Sequence, residues 1–298
     1  MSRNRLIAYT YILASTIIWG VAGPVIKYTL NGIDPVPFLI YRFSVSALVA
    51  ISFFSLWGFN FIKCKNNFIS LLLYSLTSTS IPLTLLFFGL DMTNVLTFSI
   101  MSSTIPLVSA YLGFIFLNER ITKREKRGML IAFVGTLITI YGPILENSHG
   151  ESRLLGNILI FLYVLVNSLS YILAKKVLRK GFSGAYLSNF AFLTGFVCFV
   201  PAALYFSPAS LNSIMGMPLN YHLGVLYMAI FSGTIAYALW NRGQRTIEVS
   251  EAAVFKYLDP LIAVPLAVLW LGENITLLFI IGALIIGTGV FIAGVKTS

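Results

Sequence analysis

The chain has 298 residues, of which 58% are hydrophobic and only 10% charged, with a formal net charge of +10; a soluble domain carries about 25% charged residues, so this chain cannot clothe a water-facing surface. Uncharged runs such as Leu6–Ile26 and Gly181–Asn241 reach or exceed the roughly 20 apolar residues that cross a bilayer. The basic surplus sits in short loops between apolar runs and does not point to nucleic acid; Cys64 in a basic loop, Cys198 in an apolar run and two histidines near loops give no disulfide framework, metal site or cofactor motif.

Charge clusters and Pro, Asn and Gly punctuation divide the chain into ten predicted spans. They lie near 7–28, 36–57, 68–90, 94–117, 127–143, 154–177, 184–206, 221–242, 250–271 and 274–295. The first follows the basic start MSRNR and resembles a signal peptide. No small-residue cleavage site closes it, so it is expected to stay as an uncleaved helix carrying Trp19.

Span 2 contains Arg42. Its planar guanidinium suits a carboxylate or phosphate; the favoured reading is the plainer one, a side chain that snorkels outward or pairs with Asp34 or Asp91. Span 3 stacks Ser75, Ser78, Thr79 and Pro82, and span 4 places Ser99, Ser102, Ser103 and Pro106 at i, i+3, i+4 and i+7. Asn167 and Tyr171 share a face of span 6, and Thr234, Tyr237 and Trp240 share one in span 8. Small hydroxyl residues also serve as packing residues between membrane helices, so the stripes carry more weight than any one member. In span 9, Lys256 and Asp259 lie i, i+3 and therefore on one face, with Pro260 immediately after. Charges inside a bilayer are expensive and mark functional sites; the alternative is a pair that only neutralises itself, or a lysine snorkelling to the interface. Pro82, Pro106 and Pro260 are expected to kink their helices. Glycines in spans 5 and 10 (Gly128, Gly135, Gly282, Gly289) suit close helix approach.

LNERITKREKRG (Leu117–Gly128) returns as LGENITLLFIIG (Leu271–Gly282), 154 residues later, without its basic residues. At the same shift fall Gly89/Gly243, Val95/Val249, Pro106/Pro260, Leu107/Leu261, Leu112/Leu266 and Gly135/Gly289. A unit of five spans inserts its second copy upside down. The expected fold is therefore an all-α integral membrane protein of ten transmembrane helices, a 5+5 inverted-topology repeat of residues 1–146 and 147–298. With the N-terminus inside, every Lys and Arg lies on the inner side except Lys27, Arg42, Arg153 and Lys256, which follows the positive-inside rule. The first copy of the phrase keeps its charges because it faces inward. Both termini are expected in the cytoplasm, at the cytoplasmic (inner) membrane.

The chain resembles the EamA-type branch of the drug/metabolite transporter superfamily. The resemblance rests on WGVAGPVIK in span 1, YRF in span 2, the LNERIT and LGENIT pair, and the glycine-rich GMLIAFVGTLITIYG and GALIIGTGVFIAG of spans 5 and 10. It implies a central cavity lined by spans 1–4 and 6–9, with spans 5 and 10 as outer packing helices. Inverted repeats place substrate near the bilayer midplane between halves. The expected activity is secondary transport of a small polar metabolite, an amino acid or related compound, with export favoured. The candidate substrate contacts are Trp19, Ser78, Thr79, Ser99, Ser102, Ser103, Asn167, Tyr171, Tyr237, Trp240, Lys256 and Asp259, with Arg42 as a possible anion contact. Import of a nucleotide-like metabolite and multidrug efflux are alternatives, although Lys256 beside Asp259 argues against cationic drugs. A bundle without transport activity and an intramembrane enzyme are readings of a different class. The enzyme lacks an intramembrane histidine or second acid. The expected partners are the lipid bilayer and a small-molecule substrate, with a monomer or homodimer both compatible.

Overall fold

Chain with no water to satisfy its backbone must bond every N–H and C=O internally, and the apolar runs do so as helices. The computed structural model describes residues 3–59, 61–117, 123–145, 150–208 and 210–294. Among them are α1 (Arg3–Leu30), α2 (Pro35–Trp57), α3 (Phe68–Met92), α4 (Val95–Leu117) and α5 (Lys123–Leu145). Then come α6 (Gly150–Arg179), α7 (Gly184–Phe206), α8 (Leu219–Gln244), α9 (Val249–Leu269) and α10 (Leu277–Gly294). Short helices at Phe61–Asn66 and Ser210–Met215 join α2 to α3 and α7 to α8. No strand occurs among the described residues.

Eight of these helices are long and apolar enough to cross a membrane. The expected ten also include α5, which begins with Lys123, Arg124, Lys126 and Arg127, and α10, whose apolar stretch Leu277–Ile292 is shorter. Local signals set the starts. Pro35 opens α2, where its missing N–H costs nothing. The Asn94 side chain caps Thr97 N–H, and Ser183 caps Tyr186 N–H.

The inside mixes apolar and polar side chains, and the outside is apolar. Leu48, Leu261 and Leu284 are 65%, 70% and 66% exposed, while Ser15, Thr16, Ser46, Ser75 and Ser168 are fully buried. Apolar exposure this extensive marks a surface that meets something other than water, and a lipid-facing belt accounts for it. This is a multi-pass membrane protein.

Helix α1 packs on α8 and α9, α6 packs on α3 and α4, α2 pairs with α7, and α4 meets α9. Helices α5 and α10 pack chiefly on each other. Their approach is close: a Cβ on Gly289 would lie 2.5 Å from the backbone N of Ala132 and 2.6 Å from the carbonyl O of Gly128.

Four helices are irregular midway. α3 is π-helical over Leu76–Ser80, α8 over Tyr227–Ile235, α4 breaks between Ser102 and Ile105, and α9 tightens to a 3-10 turn over Val254–Leu258. Pro82, Pro106 and Pro260 stand just after three of these breaks. Each proline lacks an N–H and presses on the carbonyl four residues earlier, which removes the usual donor to the carbonyls of Ser78 and Ser102; the Lys256 carbonyl accepts the Asp259 N–H instead. Residues 118–122 of the first copy of the repeated phrase, including Glu119, lie outside the described residues.

Candidate functional site

A cavity lies among α1, α2, α3, α4, α6, α8 and α9. The eighth helix that the resemblance implies, α7, stands behind it; α5 and α10 contribute nothing to the wall.

The α9 charges face into it. Lys256 Nζ lies 2.5 Å from Asp259 Oδ2, and the two side chains are 4% and 11% exposed. The tight turn before Pro260 brings the pair together at the start of the regular helix. Asp259 Oδ1 has no hydrogen-bond partner among the described residues. Lys256 Nζ also sits 4.6 Å from the ring centre of Trp19 and 5.9 Å from that of Trp240, within cation–π range.

Aromatic residues build the next layer. Trp19 meets Tyr237 edge-on at 5.1 Å and Trp240 at 5.3 Å, and Trp240 packs on Tyr171 at 4.9 Å. Trp19, Tyr171 and Tyr237 line the cavity, whereas Trp240 stands behind them as their support. Polar handles fix the rings. Trp19 Nε1 donates to the carbonyl of Ser232 at 2.9 Å, in the π-helical part of α8. Tyr237 Oη donates at 2.9 Å to the Ser78 carbonyl that Pro82 leaves free. Asn167 Nδ2 donates to Tyr171 Oη at 3.1 Å.

Arg42 occupies the opposite chemical role from the one favoured by sequence. It is 1% exposed and lines the cavity; it neither snorkels nor bridges to Asp34 or Asp91. Its guanidinium lies 5.2 Å from the Phe87 ring centre and 5.8 Å from that of Phe192. Nε and Nη1 have no hydrogen-bond partner among the described residues.

The hydroxyl stripes of α3 and α4 do not reach the cavity wall. Thr79 Oγ1 donates to the carbonyls of Ser75 and Ala191, both at 2.9 Å, and so ties α3 to α7. Ser78 and Ser103 bond carbonyls one turn back. Ser99 and Ser102 are buried without a partner among the described residues. In their place α3 presents Leu83 and Leu86, and α4 presents Phe98. Ala22, Gly23, Ile26, Tyr163, Met228 and Ser232 complete the wall. Tyr163 was findable, since it precedes Asn167 and Tyr171 at successive four-residue steps on one face.

The sequence pattern of the EamA-like transporter family matches residues 6–141 and again 154–295. The chain belongs to the EamA-like transporter family. Among relatives of this EamA-like chain, the uncharacterized transporter YyaM of Bacillus subtilis (strain 168) is 25% identical, covering 97% of this chain and 94% of its own length. A probable amino-acid metabolite efflux pump of Escherichia coli (strain K12) is 24% identical over 94% and 92%. A probable terminal-alkyne amino-acid exporter of Streptantibioticus cattleyicolor is 23% identical over 63% and 60%. One protein of known crystal structure superposes with a TM-score of 0.61 at 16% identity, covering 98% of both chains. At that identity the likeness concerns the fold.

Proposed function

We propose that this chain is a secondary transporter that moves an amino acid or related small polar metabolite by alternating access, with export favoured. In this reading ten helices cross the cytoplasmic membrane, both termini lie in the cytoplasm, and units 1–146 and 147–298 are inverted copies. The observation that carries it is the cavity itself, which draws its wall from both units and holds charged groups, aromatics and an amide away from lipid. Such a site between repeats is where secondary carriers bind cargo.

Three features support the inverted repeat. The family pattern matches twice. The π-helical stretch of α3, moved by 154 residues, falls inside that of α8, and the break in α4 falls on the 3-10 turn of α9. Gly89 lies against Ile160 and Gly156, while Gly243 lies against Ile12 and Ala8, so α3 meets α6 in the manner that α8 meets α1. The names of the exporter relatives support an amino-acid-related cargo and the outward direction.

Flux from proteoliposomes loaded with a panel of amino acids and their derivatives tests the proposal. Ser232→Trp places a bulky ring in the cavity and should abolish flux while the melting temperature holds. Leu261→Trp on the exposed face should leave flux unchanged. Absence of flux for every panel member, or full flux through Ser232→Trp, would overturn the reading.

A further inference from the structure

Arg42 is a buried cation with no carboxylate paired to it among the described residues. Two cations and one anion line the cavity, namely Arg42, Lys256 and Asp259. Lys256 and Asp259 cancel each other at 2.5 Å, so the cavity holds one surplus positive charge, located on Arg42. Nε and Nη1, two donors of the guanidinium, are buried with nothing accepting from them among the described residues. Burying a charge without a partner is costly, and the faces of Phe87 and Phe192 compensate only weakly compared with an anion. A carboxylate would supply both the missing counter-charge and hydrogen-bond acceptors.

We infer that Arg42 is the carboxylate-binding residue of the cavity, and that the charge-matched cargo is a monocarboxylate with an apolar or aromatic body. This rests on the transport reading above and narrows it. A dianionic phosphate would overshoot the single surplus charge. A zwitterion would bring an ammonium, and the one carboxylate of the wall, Asp259, is already neutralised by Lys256. A deaminated or N-acylated relative of an amino acid leaves no charge over, and its side chain meets Leu83, Leu86 and Met228. The carboxylate is required, and the ammonium is dispensable.

The test is binding to the purified full-length protein in detergent, read by quenching of tryptophan fluorescence and by melting temperature. The probes are 3-phenylpropionate, N-acetylphenylalanine, phenylalanine, phenethylamine and phenyl phosphate. The two monoanions should bind at least as tightly as phenylalanine, and phenethylamine at least about tenfold more weakly. Charge-assisted hydrogen bonds of this type correspond to about 10- to 100-fold in affinity, so Arg42→Gln should lose that much for the acids while its phenethylamine binding does not weaken. Arg42→Lys keeps the charge without the fork and should fall between. Ligand-free Arg42→Met should melt no lower than the wild type, because it removes an uncompensated charge. Equal binding of amine and acid, preference for phenyl phosphate, phenylalanine bound without 3-phenylpropionate, or unchanged acid binding by Arg42→Gln would each overturn the assignment. If Arg42→Gln does not fold, the probe series on the wild type and Arg42→Lys decides. Flux of some other cargo without acid binding would refute the Arg42 site alone, and acid binding without flux of any cargo would refute transport alone.

Discussion

Lys27 and Lys175 hold corresponding helix ends in the two units. Lys27 Nζ donates to the carbonyls of Leu90, Asp91 and Thr93 at 2.7, 3.2 and 2.7 Å. Lys175 Nζ donates to those of Gln244, Arg245 and Ile247 at 2.7, 3.5 and 2.6 Å. Each acceptor of the second lysine lies 154 residues after one of the first. An ammonium at a helix C-terminus satisfies orphan carbonyls and meets the negative end of the dipole. Lys27 therefore has a structural occupation, which in the proposed topology accounts for its departure from the inner-side bias.

Lys27→Met and Lys175→Met should each cost about 1–3 kcal/mol, the penalty for leaving buried acceptors unpaired. Unfolding of the two variants in detergent should show losses of similar size. A neutral result at one position and a large loss at the other would mean that the lysines are not equivalent.

Glu273, in the loop after α9, accepts from the backbone N–H groups of Val95 and Leu96 at 2.8 and 2.9 Å and so caps α4. Burial pushes its carboxyl above the usual carboxylate range, although the two N–H donors, Lys27 and Arg153 pull the other way. A carboxyl raised on folding binds more protons in the folded state than in the unfolded state between the two pKa values. Stability therefore falls as pH rises through that window. Glu273→Gln keeps an acceptor without titrating, and should flatten the slope of melting temperature measured from about pH 4 to 7. Glu273→Ala strands two helix N-terminal donors and should cost about 1–3 kcal/mol at neutral pH.

How much of this was legible in the sequence depends on what periodicity can carry. Span 4 was placed at 94–117 and the helix is Val95–Leu117; span 9 was placed at 250–271 and the helix is Val249–Leu269. Apolar length and punctuation fix such bounds because the bilayer fixes them. The Lys256–Asp259 pair was visible because an i, i+3 spacing is a contact made within one helix. Direction was not visible. Ser78, Thr79 and Ser103 form stripes, but their hydroxyls satisfy nearby carbonyls, and a stripe does not say what it faces. Arg42 shows the same limit from the other side. Whether it meets lipid headgroups, Asp34 or a cavity depends on how α2 is rotated against α3 and α7, and that is a tertiary fact.

The α5–α10 contact gives a separate prediction. A Cβ on Gly289 would press on backbone atoms of Ala132 and Gly128, which cannot move aside as a side-chain tip would. Gly289→Ala should force the two helices apart and cost about 1–3 kcal/mol, as overpacking does. Neither helix touches the cavity, so flux per folded molecule should hold. A drop in flux without a drop in melting temperature would give this pair a part in the transport cycle.

The last prediction separates cargo binding from structural neutralisation at Lys256 and Asp259. Removing one partner of a buried pair leaves an uncompensated charge and costs about 3–5 kcal/mol. Lys256→Ala should show this loss in full, because Asp259 Oδ1 already lacks a partner and Oδ2 would lose the one it has. Lys256→Ala with Asp259→Asn removes both charges, and folding should recover to near the wild-type melting temperature. Flux then decides. A pair that contacts cargo also holds the Lys256 ammonium against the Trp19 ring at 4.6 Å, and its loss should lower flux at least about tenfold, equivalent to 1.4 kcal/mol. A pair that only neutralises itself predicts wild-type flux from the double variant. Recovered folding with lost flux is the expected outcome; recovery of both would assign the pair to the architecture and leave Arg42 as the charged contact of the cavity.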